Sequence, residues 1–168
     1  ISIGCTLIFD KYWKHSSFFV TILSIICAFL ILMTQHNQSN FGFYNMLSVD
    51  KTSFFARAFI SIGLLISAIF LQQHFANKEF KKRKGDLYSI LLAAGIGLNL
   101  FSMTTHWLMA FIAIEMVSIC SYIMVGYFSE NKKQAEAAMK YALFGSACSA
   151  VMLYGLSLIY GFTGDLNF

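Results

Sequence analysis

Glu115 is the residue whose chemistry most needs an explanation: it is the one carboxylate in WLMAFIAIEMVSICSYIMVGYF, residues 107–128, an apolar run of bilayer length. A membrane helix needs about 20 apolar residues, and an ionised group at its centre costs about 3 kcal/mol on insertion scales. An acid kept at that cost is a functional suspect. At helical spacing Glu115 shares a face with Phe111, Ser118, Tyr122 and Gly126, a strip whose two hydroxyls and small residue suit protein or water rather than lipid. The bland alternative is an acid kept neutral by burial and hydrogen-bonded to Ser118 or Tyr122 as helix glue.

The second charged position is Lys140, one turn into QAEAAMKYALFGSACSAVMLYGLSLIYG, with Glu136 four residues before it, the favourable order for an i, i+4 pair. A lysine this close to a helix end can also snorkel to the interface and carry no chemistry. Helices joined by a short loop pack side by side. The face of Lys140, Phe144, Ala147, Val151 and Tyr154 is therefore expected to turn toward the Glu115 strip and form a buried charged track with it.

The elements that must carry these groups are membrane helices. With 58% apolar residues, 17% aromatics and 12% charge, the chain exceeds what a soluble domain carries, and the fold expected is all-α: a multi-pass transmembrane bundle in one membrane domain. About five complete spans are predicted at 17–34, 54–71, 87–104, 107–128 and 137–162, after Ile1 to Phe9 as the end of another helix. Residues 35–53 read as the longest loop, with Asp50 and Asp86 as helix N-caps. The chain starts without methionine and ends just after an apolar run, and so reads as a piece of something longer.

The net charge of +4 comes from short loops: Lys11 and Lys14, then Lys78, Lys81, Lys82, Arg83 and Lys84, then Lys132 and Lys133. Turn alternation places all three loops on one side, cytoplasmic by the positive-inside rule, while the opposite side holds only Lys51, with Arg57 at a helix end where it can snorkel. Topology and anionic lipid headgroups account for this charge, and nucleic-acid binding is not expected. Cys5, Cys27, Cys120 and Cys148 lack the paired spacing of a zinc, iron–sulfur or disulfide framework, and the four histidines fall near helix ends. No metal site and no redox or hydrolytic chemistry is expected in this chain. Ala93-xxx-Gly97 and Gly145-xxx-Ser149 read as surfaces for close helix packing.

IEMVSICSYIMVGY followed by AEAAMKYALFGSACSAVMLYGLSLIYGFTGDLNF strongly resembles the N-type antiporter-like membrane subunit of proton-pumping NADH:quinone oxidoreductase, respiratory complex I. LSVDKTSFFARAFISIGLLISAIFL and GDLYSILLAAGIGLNLFSM look like its preceding helices, so the resemblance runs from about residue 45 to the end. It implies that Glu115 is the essential glutamate of the family's fifth helix, a proton relay, and that Glu136 and Lys140 lie beside the proton path at the start of the sixth. It also implies a role in coupling quinone reduction to proton pumping, with the other membrane-arm subunits and the lipid bilayer as partners, in the cell inner (plasma) membrane. No cofactor would bind here; NADH, FMN, iron–sulfur clusters and quinone would belong to other subunits.

Two departures stand out. Cys120 occupies the place where the family commonly has a proline, so a straighter helix is expected, and the family's broken seventh helix with its central lysine, like the second repeat, would lie beyond Phe168. The rival readings are the corresponding subunit of a multisubunit sodium/proton antiporter or a membrane-bound hydrogenase, and a structural membrane scaffold in which Glu115 is a neutral packing residue.

Overall fold

The computed structural model describes residues 16–34, 40–76, 84–127 and 132–168, and nearly all of them are helical. The apolar stretch Ile1 to Phe9, the basic loop after it and most of the basic cluster at 77–83 lie outside the described residues. Among the described residues five helices run as α1 (Ser16–Thr34), α2 (Lys51–Ala76), α3 (Lys84–Met103), α4 (Trp107–Gly126) and α5 (Lys132–Thr163), with a short hairpin β1 (Asn40–Gly42) and β2 (Leu47–Val49) between α1 and α2. Among the described residues four helices, α2 to α5, are long and apolar enough to cross a membrane, and α1 carries a shorter apolar stretch, Phe18–Thr34. The bundle is therefore the multi-pass helical fold expected, and the four long spans and one shorter apolar helix among the described residues roughly match the number anticipated.

The helices pack as a chain of neighbours: α1 against α2 and α3, α3 against α2 and α4, and α4 against α5. Thr21, Ala68, Leu87 and Tyr88 are buried, and the Tyr88 hydroxyl donates to Gln72 Oε1 at 2.8 Å, tying α3 to α2. Between α3 and α4 the contact is close because Gly97 has no side chain: a Cβ there would lie 2.8 Å from Val117 Cγ2 and 3.1 Å from the Ala113 carbonyl. Of α5, most of the circumference is exposed, since among the described residues it packs on α4 alone.

Residues 35–53, expected to be a loop, contain the antiparallel hairpin, with Asn40 opposite Val49 and Gly42 opposite Leu47. Three-residue strands are too short for alternation to reveal. The turn is unusual in placing Phe43, Tyr44 and Asn45 at φ of 53°, 56° and 65°, left-handed geometry that side chains other than Gly and Asn resist. Tertiary hydrogen bonds hold it. Thr105 N–H donates to the Met46 carbonyl at 2.9 Å, and the Thr105 hydroxyl donates to the Asn45 carbonyl at 2.7 Å. The chain after α5 joins the same layer, because Trp107 N–H donates to the Leu166 carbonyl at 2.8 Å and Phe168 N–H to the Thr105 carbonyl at 3.0 Å.

Each helix end has a local cause. Asp50 sits just before α2, as its type suggested, but the capping oxygen is Ser53 Oγ, which accepts the Asp50 N–H at 2.9 Å in the manner of a capping box. Asp86, expected to precede α3, lies inside its first turn, because the helix already starts at Lys84; an acid there still complements the helix dipole. His106 caps α4, its Nδ1 accepting from Leu108 N–H at 3.2 Å. α5 ends at Gly164, whose φ of 71° needs no Cβ, and its N–H returns to the Tyr160 carbonyl at 2.8 Å. Just beyond, the Asn167 side-chain amide and the Leu166 and Asn167 N–H groups hold the Asp165 carboxyl below the usual carboxylate range.

Ser53→Ala removes a buried capping hydroxyl, and its expected cost is about 1 kcal/mol. The thermal midpoint of the purified full-length protein should fall measurably, with helix content before the transition unchanged.

Candidate functional site

Glu115 lies half-buried on α4, on the side turned toward α5. Tyr122 and Gly126, about two and three turns along the same strip, also meet α5. The Tyr122 ring stands edge-on to Tyr141, centroids 4.9 Å apart, and a Cβ built on Gly126 would meet the Cβ of Ala138 at 3.3 Å. Opposite Glu115 is Ser149, whose hydroxyl donates to Glu115 Oε1. The same hydroxyl lies 3.1 Å from the Gly145 carbonyl, one turn back along α5. Ser121 Oγ and Tyr141 Oη, 3.1 Å apart, link the two helices a further turn away.

Small residues make this approach possible. Ala138, Gly145 and Ser149 fall on one stripe of α5, and the Tyr122 hydroxyl occupies the space that a side chain at Gly145 would need, 2.0 Å from where its Cβ would be. Reading Gly145 and Ser149 as a packing surface was sound, but it hid the fact that one of them carries the hydroxyl that meets the acid. Neither anticipated partner bonds Glu115: Ser118 Oγ donates to the Ile114 carbonyl of its own helix at 2.9 Å, and Tyr122 packs into the Gly145 notch.

The expected charged track is not what the packing forms. Lys140 Nζ lies 2.5 Å from Glu136 Oε1, and both side chains are exposed, 62% and 58%. Phe144, Val151 and Tyr154, on the same face as Lys140, are 72%, 72% and 66% exposed. At 3.6 residues per turn this face lies roughly half a turn from the stripe of Ala138, Gly145 and Ser149. Lys140 therefore points away from Glu115. The physical reason is bulk: the small stripe lets α5 approach α4, whereas a face of Lys, Phe, Val and Tyr would hold the helices apart. The ion pair is an i, i+4 surface pair of the kind worth about 0.3–0.5 kcal/mol in water. Among the described residues Glu115 has no salt-bridge partner.

At the end of α4 nearer the start of α5, Tyr127 donates to Asp86 Oδ2 at 2.8 Å, a bond between α4 and the first turn of α3 that spacing along the chain gave no means of finding. Among the described residues no group of three His, Cys, Asp or Glu side chains is placed to hold a metal, and Cys27, Cys120 and Cys148 are free thiols.

Residues 104–168, which include the whole α4–α5 pair, match the family model described as NADH:quinone oxidoreductase/Mrp antiporter, transmembrane. Over 150 residues the chain is 35% identical to NADH-quinone oxidoreductase subunit N 2 of Chloroherpeton thalassium, covering 88% of this chain and 29% of that protein. It is also 35% identical over 147 residues to NAD(P)H-quinone oxidoreductase subunit 2 of Acaryochloris marina, covering 87% of this chain and 28% of that one. The chain thus spans less than a third of the length of these curated relatives. Among solved structures, a chain of respiratory complex I from Thermus thermophilus superposes with a TM-score of 0.78 at 26% identity, over 99% of this chain and 36% of that one. A chain of the archaeal membrane-bound sulfane sulfur reductase shares the fold, with a TM-score of 0.72 at 17% identity over 99% of this chain and 36% of its own length.

Gly145→Ala should disturb the site without touching a polar atom, since its Cβ would also lie 2.5 Å from Tyr122 Cζ and 2.9 Å from Cε1. Overpacking of this kind costs about 1–3 kcal/mol. The thermal midpoint of the full-length protein should fall, and pairing the change with Tyr122→Ala should recover part of the loss in a double-mutant cycle.

Proposed function

The chain belongs to the NADH:quinone oxidoreductase/Mrp antiporter membrane family, and from that premise we propose that it is part of a proton-translocating membrane-arm subunit of an NADH:quinone oxidoreductase. The observation that carries this reading is a carboxylate, Glu115, held half-buried inside a bilayer-length helix by a hydroxyl from the neighbouring helix, within the matched residues. Burial favours the neutral acid and an approaching cation favours the carboxylate, so a moving positive charge would load and unload a proton at Glu115. Glu136 and Lys140, paired on the outer face of α5, stand beside this path rather than in contact with its acid.

In this reading the electrons move elsewhere: NADH, FMN, iron–sulfur clusters and quinone belong to other subunits, and this chain binds none of them. Its neighbours are the other membrane-arm subunits and the lipid of the cell inner (plasma) membrane. The basic loops face the cytoplasm, because short loops rich in lysine and arginine stay on that side. The family description names Mrp antiporters as well, which favours sodium/proton exchange as the second reading. Dependence of activity on sodium separates the two.

Glu115→Gln keeps size and hydrogen bonding while removing the titratable proton. In the assembled, full-length enzyme it should leave assembly intact and lower proton translocation at least tenfold, an order that matches loss of a proton-transfer group. Translocation at the wild-type ratio per electron pair would leave Glu115 a structural residue. Lys140→Ala should lower translocation by less, since Lys140 faces away from the acid. For sidedness, a cysteine replacing Lys82 should react with an impermeant thiol reagent from the cytoplasmic side alone; labelling from the outside would invert the topology.

A further inference from the structure

The Ser149 hydroxyl has one proton and two acceptors within reach: Glu115 Oε1 across the helix interface, and the Gly145 carbonyl at 3.1 Å in its own helix. One O–H cannot serve both fully. Which acceptor receives it depends on the acid. An ionised carboxylate is acceptor-only and takes the Ser149 proton, whereas a protonated carboxyl has an O–H of its own to donate and leaves the serine proton to be placed elsewhere.

The Gly145 carbonyl is where it goes. A helical carbonyl keeps a second lone pair beyond its backbone bond, and serine in a helix commonly returns its hydroxyl to the carbonyl four residues back. When Glu115 is ionised, Ser149 Oγ–H donates to Glu115. When Glu115 is protonated, its O–H donates to Ser149 Oγ and the serine hydrogen swings to Gly145. Serine keeps its own proton throughout, no bond is formed or broken within it, and neither backbone has to move. Each protonation state retains its hydrogen bonds, so neither leaves a buried polar group unsatisfied.

The setting is built to keep that distance fixed. Gly145 both supplies the alternative acceptor and admits the Tyr122 ring, which locks α5 against α4 together with the Tyr122–Tyr141 and Ser121–Tyr141 contacts. We propose that Ser149 is the positioning residue for Glu115, hydrogen-bonding the acid in both protonation states by turning its hydroxyl between Glu115 and the Gly145 carbonyl. This inference rests on the proton-translocating reading of Glu115.

The test uses the assembled, full-length enzyme with Ser149→Ala, Ser149→Thr and Ser149→Cys, reading proton translocation per electron pair and the infrared carbonyl stretch that Glu115→Gln abolishes. Ser149→Ala should shift that band to higher wavenumber, the mark of a lost hydrogen bond, and lower translocation several-fold, up to roughly tenfold if a bond to a charged group is lost. Ser149→Thr should restore both, because a helical threonine can place its hydroxyl on the same two acceptors. Should Ser149→Ala fail to assemble, the nearly isosteric Ser149→Cys, a weak donor, should give the same band shift in part. An unshifted band with wild-type translocation in Ser149→Ala, or an unshifted band in Ser149→Cys, overturns the role of Ser149 alone. Wild-type translocation in Glu115→Gln overturns the reading on which it rests, and the two failures are told apart by which variant pumps.

Discussion

A carboxyl group inside an apolar span has to find a hydrogen-bonding partner, and the Glu115–Ser149 contact meets that need. The unmet cost, about 3 kcal/mol for an ionised group at the centre of a helix, is large against the few kcal/mol by which proteins are stable. The position of α5 follows from this. Its small stripe, Ala138, Gly145 and Ser149, must lie on α4, and its bulky face must lie outward, so that the acid meets a hydroxyl rather than hydrocarbon.

The rest of the bundle supports that pair from one end. The hairpin, the turn before α4 and the chain after α5 share backbone hydrogen bonds through Met46, Thr105, Trp107, Leu166 and Phe168, with the Trp107 and Phe168 rings edge-on at 4.7 Å. These bonds fix the start of α4 relative to the end of α5, which sets the register of the two helices along their length. The left-handed backbone at Phe43, Tyr44 and Asn45 is tolerated because the same network over-determines it. At the other end the Tyr127–Asp86 bond holds α4 to α3.

The outward face of α5 has a different character. Lys140, Phe144, Val151 and Tyr154 are exposed, and the lysine is matched by Glu136 on its own helix rather than by Glu115. Charge at the helix start and charge at the helix centre are therefore separated by the thickness of α5. In the proposed function any influence of Lys140 on Glu115 acts through the shared helix rather than by contact.

By itself the sequence determined the membrane environment, the helical class, the choice of Glu115 as the candidate residue and the family resemblance, because each is written in composition, run length or local order: one acid in a bilayer-length apolar run needs no fold to be noticed. The strip of Glu115, Tyr122 and Gly126 was legible too, since helical periodicity places residues on a common face of their own helix. Tertiary structure alone decided which face of α5 meets that strip. Periodicity says which residues of a helix share a side, but the side chosen depends on how closely two backbones can approach. Gly145 and Ser149 settle that by their smallness, against the expectation that the face of Lys140 would turn toward the Glu115 strip. The hairpin and the Asp86–Tyr127 bond were hidden for a related reason: three-residue strands and contacts 41 residues apart in sequence leave no local pattern to read.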